Sequence, residues 1–428
     1  SGPTGDWYLW RDPPAGSSGR ARPNNWVSFF GGSAWEWDDV RGQYYMHTFL
    51  PEQPDLNWRN PAVRAEMLRM TRAWLERGVD GFRLDVFNAF FKHAELLSNP
   101  RRWIGRRPYS RQDHLYDKDR PELLDFLAEF RAMVDSFPGR MTVGEMFSAD
   151  YRAAAALAAP RHLVFDFLLI HQPWKAKAFA WASKVHEEIF PAGRWPTVVL
   201  SNHDQSRHVS RLSAGTKDPV ADGDAIARAS AVLSLTLRGT PYIYYGEEIA
   251  ARDVKVPWAE IIDPPAKRGG RLTRALIPWW NRDAARSPMP WGGGGPNGGF
   301  SAGRPWIRMA ADTDRRSVAA QDADAGSVLA AYRRLIWLRR QHPELQVGTY
   351  REVASGSADV FAYLREGEGG SALVVVNFAA NGVTARVVAR AGTRWESVFD
   401  TIDPPAPAFA DGTSLALRPY EAAIFRPA

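Results

Sequence analysis

The 428-residue sequence has no cysteine, so no disulfide holds its fold, which fits a reducing compartment. No apolar run approaches the ~20 residues a membrane span needs, and a membrane is not among the expected partners. No long basic block is present either. The net charge is +6, but the arginines are scattered among Asp and Glu, which argues against nucleic acid. There is no Cys/His metal cluster and no nicotinamide motif, so no organic cofactor is expected. The glycine-rich "GGGGPNGG" (292–299) lacks a following Lys-Ser/Thr and reads as a surface loop rather than a phosphate cradle. The opening "SGPTGDWYLW" carries no Met and no targeting pattern, and a cytoplasmic location is the expectation.

Aromatic residues are abundant instead. Eighteen tryptophans are present, and many, including Trp7, Trp10, Trp26, Trp35, Trp37, Trp58, Trp279, Trp280 and Trp291, stand in Pro/Gly-rich contexts. Packing explains any one of them. As a group in loops they suit flat, partly apolar ligands such as sugar rings. A composition of 45% hydrophobic and 24% charged residues excludes wholesale disorder.

Residues 1–56 show little periodicity and read as a loop-rich insertion. From Asn60 the pattern changes: apolar residues at 63, 67, 70, 74 and 75 have helical spacing, with Asn60 as cap, Pro61 in the first turn and Gly78 as stop. Strands are then expected near 80–85, 140–145, 163–168, 197–201 and 241–245, alternating with helices over 121–137, 174–190 and 222–238. That alternation argues for a parallel sheet with helices outside. After a helix over 325–343, short alternating segments predict an antiparallel β domain over 346–428.

"GVDGFRLDVF" (78–87) reads as a core strand, yet carries Arg83 and Asp85 two residues apart, on one face by strand alternation. A structural ion pair is the plain explanation. A carboxylate held ionised by a fixed cation is the functional one. Two further strand ends bear acids, Glu145 in "VGEMF" and Asp204 in "LSNHD". Each alone also reads as a helix cap, an ion-pair partner or a loop hydrogen bond. In a parallel βα array the carboxyl ends of the strands meet on one face, so all three can converge, and convergent acids suit glycosyl transfer. Val143, Met146 and Phe147 beside Glu145 point to a raised pKa, as a proton donor needs.

"GFRLD", "GEMF" and "LSNHD" resemble conserved regions of the α-amylase family of retaining glycosidases, glycoside hydrolase family 13. "QPDLN" (53–57), "NNWVSFFGGSAWEWD" (24–38), "GTPYIYYGEEI" (239–249) and "RDAARSPMPW" (282–291) resemble its oligo-1,6-glucosidase and α-glucosidase branch. The resemblance implies a (β/α)8 TIM barrel over 57–345, with 1–56 as the inserted domain and a C-terminal antiparallel β-sandwich over 346–428. It implies Asp85 as nucleophile, Glu145 as acid and then base, and Asp204 as the third carboxylate. Arg83 and His203 would sit at the same subsite, Phe49 and Gln53 on the pocket wall, and Arg282 and Arg286 on a late loop. Val86, next to the nucleophile, resembles enzymes that favour α-1,6 bonds. The expected substrate is an oligosaccharide or disaccharide. A transglycosylating or isomerising relative such as a sucrose isomerase is the alternative, as is an inactive carbohydrate-binding fragment.

One element of the family pattern is missing. The first conserved region, Asp-x-x-x-Asn-His, does not occur before "DWYLWRDP" (6–13). The reading therefore expects a chain that begins after barrel strand three, short by roughly 90 residues. It expects any Ca²⁺ or Mg²⁺ site to lie in that missing N-terminal part, and the chain to need a complementing N-terminal segment or chain for a stable, active barrel.

Overall fold

The computed structural model describes every residue except 1, 3, 18, 19, 106, 107, 147–151, 153–155, 157–161, 192, 269–280, 293, 294 and 296. Phe147, Trp279, Trp280 and part of the glycine-rich 292–299 loop thus lie outside the described residues. The chain divides into two compact units, residues 1–165 and 166–428.

The first unit opens with more regular structure than its sequence suggests. β1 (Trp10–Arg11), β2 (Trp35–Asp38) and β3 (Gln43–Met46) form an antiparallel sheet in the order β1-β3-β2. These strands are two to four residues long, too short to show a period of two. Trp26 and Trp35 stack in the core of this region at 6.2 Å, and Trp58 stacks on Phe90 at 4.3 Å. These three indoles are therefore packing residues. The helix Pro61–Glu76 begins as expected, with the Asn60 side chain accepting from the Ala62 amide at 2.9 Å. It leads into β4 (Gly81–Leu84), and the helix Glu122–Asp135 leads into β5 (Met141–Gly144). β4, β5 and β6 (Leu163–Val164) are parallel and consecutive, with Arg83 opposite Val143. Gly81 starts β4 where a Cβ would collide with the Met141 carbonyl of the neighbouring strand.

The second unit carries β7 (Thr197–Val199) and β8 (Thr240–Tyr242), a parallel pair, with helices Ala176–Ile189 and Ala221–Thr236. The strand expected near 163–168 stops at Val164. In the second unit, Asp166 makes a tight turn of its own: its amide donates to Thr197 Oγ at 3.0 Å, and its Oδ1 accepts from the Leu168 amide at 2.7 Å. The expected strand after 240 likewise stops at Tyr242, and Gly246, at φ 86°, turns the chain into a short 3-10 helix, Glu247–Ile249. A Cβ on Gly246 would lie 2.8 Å from the Arg207 guanidinium.

After the helix Val328–Gln341 the chain enters its antiparallel end. Strands β9 (Thr349–Val353), β10 (Val360–Gly367), β11 (Gly370–Asn377), β13 (Arg394–Asp400), β14 (Phe409–Ala410) and β16 (Ala422–Pro427) form one sheet, ordered β14-β13-β16-β11-β10-β9. β12 (Val383–Arg386) pairs with β15 (Ser414–Leu417). One apolar core draws on both sheets, with Leu364, Leu373, Val375, Trp395 and Phe425 from the larger and Ala385, Leu415 and Leu417 from the smaller. No described helix is long and apolar enough to cross a membrane.

Candidate active site

In the first unit, the ends of β4 and β5 place Arg83 between two carboxylates. Arg83 Nη1 donates to Asp85 Oδ1 at 2.8 Å, and Nη2 pairs with Glu145 Oε2. The two acids differ in setting: the Asp85 side chain is 67% exposed and the Glu145 side chain 3%. Glu145 is thus buried, with Val143 and Met146 as expected, but it is not in a purely apolar pocket, because a guanidinium faces it. The backbones are stitched as well. The Glu145 amide donates to the Leu84 carbonyl at 2.8 Å, and the Phe87 amide donates to the Glu145 carbonyl at 3.2 Å.

Asp85 lies just past the strand, and the chain then turns sharply. Val86 has φ 39° and ψ 42°, a left-handed conformation that a β-branched residue adopts only under strain. Its carbonyl accepts from the Ala89 amide at 2.9 Å, closing a 3-10 turn over Phe87–Ala89.

That turn is tied to the inserted region by Lys92, a residue that sequence reasoning did not single out. Its buried ammonium donates to Ala89 O at 2.5 Å and Thr48 Oγ1 at 3.0 Å, and pairs with Asp55 Oδ2 at 3.0 Å. Asp55 in turn accepts from the Thr48 amide and hydroxyl at 2.7 and 2.6 Å. The clamp fixes the segment holding Phe49 and Gln53. Phe49 sits in an aromatic cluster with Phe29 and Phe30, at 5.7 and 5.6 Å. Gln53 is exposed and turns back on its own loop, its amide oxygen 3.4 Å from the Leu50 amide.

In the second unit, Asp204 follows β7 and is held by cations. Its Oδ1 accepts from Arg286 Nη2 at 2.6 Å and Arg282 Nη1 at 3.1 Å, and His203 Nε2 stands 3.6 Å away. Arg286 Nε also donates to the His203 carbonyl at 2.8 Å. Arg282 is anchored behind by fully buried Asp263, whose Oδ1 accepts from its Nε at 2.9 Å and Nη2 at 2.7 Å. Burial alone would push the Arg282 pKa down. The Asp263 hydrogen bond and the charges of Asp263 and Asp204 outweigh it and raise the value. Asp283, next in sequence, accepts from the Ile262 and Asp263 amides, so the loop bearing both arginines is pinned to 262–263. Sequence reasoning did not single out Asp263, because its partner lies 19 residues away and no local spacing marks the pair.

The second unit also holds a buried polar cluster. Ser201 Oγ donates to Glu247 Oε1 at 2.5 Å and lies 3.4 Å from His208 Nδ1. Burial pushes the Glu247 carboxyl up to about 7, and burial with Arg211 and Arg207 nearby pushes His208 down to about 3. Both groups are therefore neutral over a wide range around pH 5–6. Among the described residues no three His, Asp or Glu side chains gather as a metal site.

Comparison with known proteins covers both units. Residues 1–348 match the model of the α-amylase catalytic domain, and residues 350–424 that of the maltogenic amylase C-terminal domain. A probable α-glucosidase of Rhizobium meliloti (strain 1021) is 40% identical over 365 residues, spanning 80% of this chain and 62% of that protein. The trehalose-6-phosphate hydrolase of Escherichia coli (strain K12) is 34% identical, over 98% of this chain and 77% of the relative. Among solved structures, the α-glucosyl transfer enzyme XgtA superimposes with a TM-score of 0.87 at 34% identity, over 100% of this chain and 78% of that one. The trehalulose synthase MutB of Pseudomonas mesoacidophila MX-45 gives 0.85 at 31%, over 100% and 79%.

Proposed function

The chain belongs to the α-amylase catalytic-domain family, and from that premise we propose that it serves a retaining α-glucosidase acting on short α-glucosides. The observation that carries this reading is the single Arg83 guanidinium shared by an exposed Asp85 and a buried Glu145. Two acids on one guanidinium are compatible with the short separation of about 5–5.5 Å that double displacement uses.

In the first step an Asp85 oxygen attacks the anomeric carbon and the glycosidic C–O bond breaks. The Glu145 proton passes to the leaving oxygen. Asp85 loses its negative charge into the new ester while Glu145 gains one. The pair carries one negative charge before and after, and Arg83, bonded to both, remains paired with whichever holds it. In the second step Glu145 takes a proton from water, the water oxygen attacks the anomeric carbon, and the ester bond breaks to restore ionised Asp85. Asp204, fixed by two arginines, accepts hydrogen bonds from sugar hydroxyls.

Transfer to a sugar acceptor instead of water is the second reading, favoured by the likeness to XgtA and MutB. Following turnover of maltose and of sucrose by ¹H NMR separates them. Initial release of α-glucose from sucrose, whose leaving group is fructose, supports the retaining hydrolase, new disaccharide signals support transfer, and initial β-glucose from sucrose overturns both.

A further inference from the structure

Val86 stands next to the candidate nucleophile in a left-handed conformation, and a strained residue keeps such a conformation only where its surroundings over-determine it. The chain beyond it is tied at several points. The Phe87 amide donates to the Glu145 carbonyl at 3.2 Å, the Asp119 amide donates to the Asn88 carbonyl at 2.8 Å, and Phe90 stacks on Trp58 at 4.3 Å. Lys92 adds a cation to these ties. Its ammonium reaches the carbonyl of Ala89, the last residue of the 3-10 turn, at 2.5 Å. An ammonium has three N–H donors. The other two face Thr48 Oγ1 and Asp55 Oδ2, both at 3.0 Å, and the side chain is 2% exposed. The far side of this clamp is anchored in turn, because the Thr48 carbonyl accepts from the Phe29 amide at 2.8 Å. Taking an ammonium out of water is costly, and an apolar side chain of similar length fills such a space without that cost. Packing alone therefore does not account for a cation here.

We propose that Lys92 is a positioning residue for the nucleophile. It holds the Ala89 end of the turn against the segment 48–55, keeps Val86 in its strained conformation, and so fixes the direction from which Asp85 meets the anomeric carbon. The inference rests on the glucosidase reading and adds to it a residue that acts through the backbone rather than on the reacting atoms.

The test is steady-state hydrolysis of α-glucosyl fluoride by the 428-residue protein and its variants, with a thermal melt of each. Lys92→Met keeps the length of the side chain and removes the ammonium. Its kcat is expected to fall about 30-fold with KM within about threefold, because a displaced attacking group loses rate rather than binding. The same variant strands the Asp55 charge and is expected to melt at a lower temperature. Combining Lys92→Met with Asp55→Asn removes that stranded charge, so the melting temperature is expected to recover while kcat stays low. Hydrogen exchange supplies a readout apart from turnover. The Ala89 amide, which closes the turn on the Val86 carbonyl, is expected to exchange about tenfold faster in both proteins carrying Lys92→Met, and the Glu145 amide to keep its parental rate. A kcat that recovers together with the melting temperature makes the role of Lys92 merely structural and overturns the proposal, as does unaltered exchange at Ala89. Turnover by the parent with an equal kcat in Lys92→Met removes the positioning role alone. No turnover by the parent removes the glucosidase reading, and this inference with it.

Discussion

The two candidate groups, one in each unit, solve opposite electrostatic problems. In the first unit one arginine serves two carboxylates; in the second, two arginines serve one. Asp85 is exposed, half-compensated and perched on a strained turn at Val86, which suits a group that must form and break a bond. Asp204 is 20% exposed, accepts from two arginines of which one is also neutralised from behind by Asp263, and faces a pinned loop, which suits a group that must stay put. The two acids thus differ in exposure and in how their cations are shared, although both follow strand ends.

The largest expected effect separates the two acids. Asp85→Asn is expected to lower kcat on maltose by about 10⁴-fold, because no covalent intermediate forms. Asp204→Asn is expected to cost about 10²–10³-fold, because a hydrogen-bonding amide still occupies the site. Equal losses would erase the distinction. Next, the arginines: Arg83→Lys replaces a fork that holds two acids with a point charge that holds one, and kcat is expected to fall about 100-fold. Arg286→Lys leaves Arg282 on Asp204, and its loss is expected to be nearer 10-fold and to appear partly in KM. Steady-state kinetics of the pair check this, and a reversed order would contradict the assignment of roles.

A stability effect follows from the buried cluster of Ser201, His208 and Glu247. The Glu247 carboxyl is raised to about 7 in the folded protein from an ordinary 4.5. The folded state therefore holds a proton that the unfolded state releases, and its contribution is complete below about 4.5 and lost as pH rises to about 7. Glu247→Gln is expected to gain stability relative to the parent between pH 5 and pH 8, by on the order of 3 kcal/mol at most. Urea denaturation at both pH values measures it, and a constant difference would contradict the shift.

The smallest effect concerns Val86. Thr has the same branching, so Val86→Thr leaves the strained turn in place and changes only the polarity of the wall. The ratio of isomaltose to maltose hydrolysis is expected to fall several-fold, and an unchanged ratio removes Val86 as a linkage determinant.

The candidate acids were legible as a pattern: an Arg two places before an Asp at a strand end, and acids at the ends of two other strands. The clamps were not. Lys92 joins residues 44 and 37 positions upstream, and Asp263 joins Arg282 at a separation of 19 residues, so neither has a sequence period. Helix positions were legible where caps and apolar spacing agreed, as at Asn60. Strand ends were overestimated where a polar turn takes the chain out of the sheet, as at Asp166 and Gly246. The tryptophans misled in part: Trp26, Trp35 and Trp58 pack inside, whereas Trp291 stays exposed, and composition alone carries no such distinction.

The central claim is that Asp85 carries the glucosyl group. Incubation with 5-fluoro-α-glucosyl fluoride, whose glycosyl-enzyme ester hydrolyses slowly, followed by proteolysis and mass spectrometry, tests it directly. The account predicts a fluoroglucosyl adduct on the peptide containing Asp85, absent in Asp85→Asn. An adduct on a different carboxylate, or turnover of the reagent with no adduct on any peptide, would contradict it.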